Sequence, residues 1–170
     1  NNKKLPSKVT SEIKKELKNI EKKTKKKFGD FQNPLLISVR SGSRVSMPGM
    51  MDTILNLGLN DKTVIGLAKK TKNPRFAWDA YRRFIQMFSD VVLNVDKDLF
   101  ENILEAHKKK KKVVHDIDLN ESALKSLVLE YKKLVKTKTK KAFPQDPLEQ
   151  LDKAIDAVFL SWNNKRAIFY

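Results

Sequence analysis

From Asn73 onward one helical pattern runs for almost twenty residues without interruption, and it constrains the fold more than any other feature. Asn73-Pro74 supplies a capping side chain followed by the one residue that suits a first helical position. Phe76, Ala77, Ala80, Tyr81, Phe84, Ile85, Phe88, Val91 and Val92 then trace a broad apolar stripe over residues 75–93. A stripe that wide cannot face water, so the rest of the chain must wrap around it. The chain has the material to do so, with 170 residues of which 40% are apolar and 33% charged.

The same punctuation divides the remainder. Val9, Ile13, Leu17, Ile20, Thr24 and Phe28 recur at helical spacing from Ser7, with Gly29 placed as a C-terminal stop. Asn33-Pro34 breaks the chain, and the apolar run at residues 35–39 reads as a buried strand that delivers Arg40 to its end. Residues 51–57 read as a short helix, and residues 61–70 as another opened by an Asp61 cap. Leu99, Phe100, Ile103, Leu104 and His107 mark a helix over 97–111. Another begins near Asn120 and runs through Leu124, Leu127, Val128, Tyr131, Leu134 and Val135.

Phe143 to Pro147 is a break, with Asp146 as cap and Pro147 as first turn of a last helix carrying Leu148, Leu151, Ile155, Val158, Phe159 and Trp162. Residues 166–170 resemble a strand. Trp78, Tyr81, Phe84, Phe88, Phe159 and Trp162 are assigned to the core, and Arg75, Arg82 and Arg83 to structure or docking. The fold class is therefore mainly α, a helical subdomain plus one or two short strands. A lone strand cannot satisfy its backbone hydrogen bonds, so its partners are expected from segments outside this chain.

Charge comes next, because the formal net charge is +16. Alone it would suggest a basic helical module that binds nucleic acid. The lysines are spread along the chain, however, and Lys25 to Lys27, Lys108 to Lys112 and Lys138 to Lys141 fall at helix ends, where cations complement the helix dipole. That distribution argues against nucleic acid. With no cysteine there is neither a disulfide nor a thiolate metal site. His107 and His115 lack the spacing of a zinc site. No run reaches the roughly 18 apolar residues of a membrane span and no secretory apolar core is present, so a cytoplasmic location is expected, an organellar one staying open.

One stretch does not fit the lysine-rich helical pattern. Residues 37–61 hold three of the five glycines and three of the four methionines. A strand ending in Arg40 and followed by Ser41, Gly42 and Ser43 sets a guanidinium fork beside approachable backbone N–H groups, which suits phosphate. Met47-Pro48-Gly49 is a second tight turn, leading through Met50, Met51, Asp52 and Thr53. From these residues alone two readings stand, a phosphate loop or glycines that only turn the chain and methionines that only fill gaps.

The strings SVRSGSRVSMPGMMDTILNLGLND, NPRFAWDAYRRFIQMFSDVV and FPQDPLEQLDKAIDAVFLSWNNKRAIFY closely resemble the N-terminal nucleotide-binding domain of the pyruvate phosphate dikinase family. The resemblance spans nearly the whole chain and is strongest from Asn33 to Val95 and from Phe143 to Tyr170. It implies part of an ATP-grasp α+β domain: residues 1–59 in the nucleotide-binding region, 60–162 a helical subdomain, and 163–170 the return to the sheet.

It also implies a chemistry for the full-length enzyme. ATP, phosphate and pyruvate are interconverted with AMP, pyrophosphate and phosphoenolpyruvate through a phosphohistidine on a swivelling domain, which hands the phosphoryl group to a barrel domain. By this resemblance Arg40 and Ser41 hold the ATP phosphates, Gly49 lies in a loop over them, and Met50, Met51, Asp52 and Thr53 shape its base. Mg2+ and ATP are cofactor and substrate of the whole enzyme. The family's phosphocarrier histidine, ATP-binding lysine and metal ligands have no counterpart here. The chain alone is expected to be inactive, to hold neither group firmly and to contain no catalytic or metal-ligating residue.

Overall fold

The computed structural model describes residues 7–41 and 52–161. Six helices and four short strands occur among them, in the order α1 (Ser7–Thr24), β1 (Lys27–Phe28), β2 (Pro34–Leu35), β3 (Ile37–Arg40), β4 (Thr53–Leu57), α2 (Thr63–Thr71), α3 (Pro74–Val91), α4 (Lys97–Lys111), α5 (Glu121–Thr139) and α6 (Pro147–Ser161). β1 pairs with β2 in parallel, and β3 with β4 antiparallel. The mainly helical class stands. The expected strand at 166–170, together with Trp162, lies outside the described residues.

The apolar stripe of α3 is the centre of the molecule, as its width requires. Ala77, Tyr81, Ile85 and Phe88 are fully buried, and α2, α4, α5 and β4 all pack against this helix. Phe143 meets Phe84 and Phe88 edge to face at 5.7 and 5.5 Å, Phe84 and Phe88 lie tilted at 5.5 Å, and Phe100 meets Tyr131 at 4.9 Å. One assignment to the core needs correction: Phe159 is 52% exposed. Trp78 is half-buried and packs against the core, with the Lys125 ammonium 5.4 Å from its ring. Phe159 follows the buried Val158 by one residue, about 100° further round the helix, which takes it off the packed face.

Caps explain where the helices begin. The Asn73 side chain accepts from the Phe76 N–H, Asp96 from the Asp98 N–H, and Asn120 from the Ala123 N–H. Asp146 accepts from the Leu148 N–H at 2.9 Å. The cap expected at Asp61 is one residue earlier. Asn60 is 7% exposed and its Oδ1 accepts from the N–H groups of Lys62 and Thr63 at 2.9 and 2.8 Å. Asp61 instead accepts from the Tyr81 hydroxyl at 3.0 Å and pairs with Lys132. Helix α1 stops at Thr24, before Gly29, because Lys25 turns to a φ of 53° and Phe28 enters β1.

Arg75 and Arg82 hold a short 3-10 turn (Asp116–Asp118) onto α3. Arg75 donates to the carbonyls of Asp116 and Leu119. Arg82, only 4% exposed, pairs with Asp79 at 2.9 Å and with Asp116 at 2.6 Å. Burial by itself would raise the Asp116 carboxyl, but Arg82 and then Lys108 outweigh it and hold the group below the usual carboxylate range.

Candidate functional site

In place of the short helix expected at residues 51–57, the chain forms a strand from Thr53 to Leu57. Thr53, Ile54, Leu55 and Leu57 alternate out, in, out and in, and β4 pairs with β3 in the register Arg40 with Thr53, Val39 with Ile54 and Ile37 with Leu57. Three steps of β4 thus face two of β3 at the far end. Asn56, at a φ of 61°, absorbs the extra residue as a bulge. The partner that β3 requires is therefore inside the chain, contrary to the expectation that outside segments supply it.

The ladder faces follow from the period of two. Val39 and Ile54 turn toward the packed interior, where α6 and α3 cover them. Arg40 and Thr53 lie directly opposite one another on the other, solvent-facing side, with Cβ atoms about 5 Å apart in such a pair. Among the described residues the Arg40 Nε–H reaches the neighbouring Ser41 carbonyl, at 3.5 Å, and no carboxylate pairs with the guanidinium. Arg40, Ser41, Asp52 and Thr53 thus gather at one end of one ladder. Gly49, Met50 and Met51 lie outside the described residues.

Asp52 borders a cleft of about 370 Å³ between the end of α3 and the outer turns of α6, with Val92, Leu93, Lys153, Asp156 and Leu160 among its walls. Asp90 stands within electrostatic reach of Asp52. Burial, reinforced by Asp52, Asp96 and Asp98 against the opposing Lys97, raises its carboxyl above the ordinary value. Among the described residues no three His, Asp or Glu side chains come together as a metal-binding group. Asp79 is committed to Arg82 and Arg83.

Neither histidine is placed for phosphoryl chemistry at this end. His107, 11% exposed, joins α4 to α5 through Glu130 at 2.9 Å, and His115 opens the 3-10 turn.

Sequence reasoning missed the residues that secure the ladder from behind. Gln150 on α6 is fully buried. Its Nε2 donates to the carbonyls of Leu59 and Pro144, each at 2.9 Å, and its Oε1 accepts from the Gly58 N–H at 3.0 Å. The Thr63 hydroxyl donates to the Gly58 carbonyl at 2.8 Å. On the outer edge of β4 the Leu55 N–H meets the Met87 sulfur at 3.3 Å. The only sequence signal for Gln150 is an amide at a position where the α6 pattern calls for an apolar side chain.

The sequence profile of the family described as pyruvate phosphate dikinase, AMP/ATP-binding domain, matches residues 2–170. The pyruvate, phosphate dikinase of Entamoeba histolytica is 51% identical over 170 residues, which is all of this chain and 19% of that protein. That of Clostridium symbiosum is 58% identical over 152 residues, 89% of the chain and 17% of the protein. That of Giardia intestinalis is 53% identical over 165 residues, 97% of the chain and 19% of the protein. The chain thus spans less than a fifth of the length of the relatives it matches. Among the described residues no helix is long and apolar enough to cross a membrane.

Proposed function

The chain belongs to the pyruvate phosphate dikinase AMP/ATP-binding domain family, and on that premise we propose that it is the phosphate-holding part of the ATP site in an enzyme of that activity. The whole enzyme would interconvert ATP, phosphate and pyruvate with AMP, pyrophosphate and phosphoenolpyruvate through a phosphohistidine. Residues 1–59 carry the phosphate contacts in this reading, and 60–162 brace them.

The observation that carries it is the register of the ladder. Arg40 has no carboxylate partner among the described residues and faces solvent beside Thr53. The ladder fixes the backbone from which the Arg40 side chain springs, so the guanidinium is held at the strand end with only its own rotamers to settle when the nucleotide arrives. It can stabilise charge that builds on the phosphate oxygens as the triphosphate is cleaved between its α, β and γ groups. Ser41 follows Arg40 directly, at the same end of the ladder. The Thr53 hydroxyl adds a neutral donor across the ladder.

Bound ATP supplies the phosphoryl group. The residues of this chain bind and orient it. The described residues do not make a magnesium site, so no step is assigned here to the ion.

The test is Arg40→Ala in the complete enzyme. Losing this charged donor is expected to lower AMP formation from ATP and phosphate by about 10²- to 10³-fold. Exchange between phosphoenolpyruvate and pyruvate, which does not use the nucleotide, should keep its rate. AMP formation within about threefold of wild type, or equal loss in both half-reactions, would remove Arg40 from the ATP site.

A further inference from the structure

At the end of the β3–β4 ladder away from Arg40 lies a second feature that the ATP reading does not use. The turn between β1 and β2 lies flat on α2. It can do so because residue 66 is glycine: a Cβ there would stand 1.8 Å from the Phe31 carbonyl oxygen. The turn is also tied by the Lys70 ammonium, which donates to the Asn33 side chain, and by Asp30, whose carboxylate accepts from the N–H groups of Gln32 and Asn33. The result is a groove of about 600 Å³ lined by Phe31, Gln32, Lys62, Ile65, Gly66 and Lys69. Phe31 is 60% exposed and Ile65 49%.

The groove has a definite chemical order. Lys62 keeps helical backbone angles at the start of α2, so Lys62, Ile65, Gly66 and Lys69 share one helix face at spacings of three, four and seven. The two lysines then stand about 10 Å apart along the axis with the apolar surface between them. Lys70 is engaged in holding the turn, but among the described residues neither the Lys62 nor the Lys69 ammonium has an ion pair. Cation, apolar floor and cation thus follow one another in a line. A phosphodiester backbone has nothing to set on Phe31 and Ile65, and a small anion would use one end only.

We propose that this groove docks an acidic amphipathic helix of a protein partner, with two carboxylates one heptad apart on Lys62 and Lys69 and an apolar side chain between them on Ile65 and Phe31. The match is one of charge and spacing together: residues seven apart on the partner helix repeat the separation of the lysines.

The experiment titrates the complete polypeptide with a fluorescent helical peptide of about fifteen residues, bearing two glutamates seven apart with leucines between them. The general attraction of a basic chain for an acidic peptide is controlled by a second double variant with the same charge change, Lys109→Glu with Lys111→Glu on α4. Saturable binding is expected, weakened about tenfold in Lys62→Glu with Lys69→Glu and little changed in the α4 control. A peptide with lysines in place of its glutamates should prefer the Lys62→Glu, Lys69→Glu protein. Absence of saturable binding to wild type, equal loss in both double variants, or no reversal with the swapped peptide would overturn the proposal.

Discussion

Replacing Gln150 with leucine tests how the ladder is held in place. The two side chains have similar volume, so the substitution removes an amide and leaves the packing nearly full. Three backbone groups lose their partner: the Gly58 N–H, the Leu59 carbonyl and the Pro144 carbonyl. Each buried orphan costs about 1–3 kcal/mol, and the newly buried leucine returns about 2 kcal/mol of transfer free energy. The net expectation is a loss of about 1–7 kcal/mol, centred near 4. With a urea slope of about 2 kcal/mol per molar for a chain of this size, the unfolding midpoint falls by about 0.5–3.5 M.

The assay is urea denaturation followed by tryptophan fluorescence and far-ultraviolet circular dichroism, at constant slope. A Gln150→Glu variant adds a pH signature. A carboxyl buried at that position has a folded pKa raised above its unfolded value, so the deficit of the variant relative to wild type is smallest below about pH 4 and grows as pH rises through the folded pKa. A midpoint for Gln150→Leu within about 0.3 M of wild type would refute the claim that these hydrogen bonds hold the segment after β4, and the Pro144 break, against α6.

Other substitutions probe separate contacts. Gly66→Ala puts a methyl group against the Phe31 carbonyl, so the β1–β2 turn must lift from α2; a loss of about 2 kcal/mol or more is expected by thermal denaturation. Asn60→Ala removes the acceptor for the Lys62 and Thr63 N–H groups and should cost about 1–2 kcal/mol in the same measurement. Arg82→Met leaves Asp79 with Arg83 alone and Asp116 with Lys108 alone, and should cost about 1–3 kcal/mol near neutral pH. The Asp116 carboxyl is held below its unfolded value, so its contribution is present above about pH 4 and fades as pH falls through the folded pKa. The gap between wild type and Arg82→Met should therefore narrow in acid, and a gap independent of pH would contradict this account.

Local chemistry in the sequence determined most of the helices. Asn73, Asp96, Asn120 and Asp146 each carry a side chain that caps the next turn, and the apolar periods of α3, α4 and α5 name the faces that the core covers. These signals are legible because cap and stripe are written within a few residues of each other. Arg40 was legible for the same reason, as the residue that ends a short apolar run before a Ser-Gly-Ser turn.

What tertiary structure decided is pairing. Residues 51–57 carry too short a pattern to distinguish helix from strand, and the choice was made by β3, whose unpaired backbone groups β4 satisfies in a register that needs Asn56 in the left-handed region. The cap at Asn60 rather than Asp61, the turn lying on Gly66, and the amide of Gln150 reaching Gly58 from 92 residues away have the same origin. A hydrogen bond or close approach between distant segments leaves no periodic trace in either one, so it appears only when folding brings the two together.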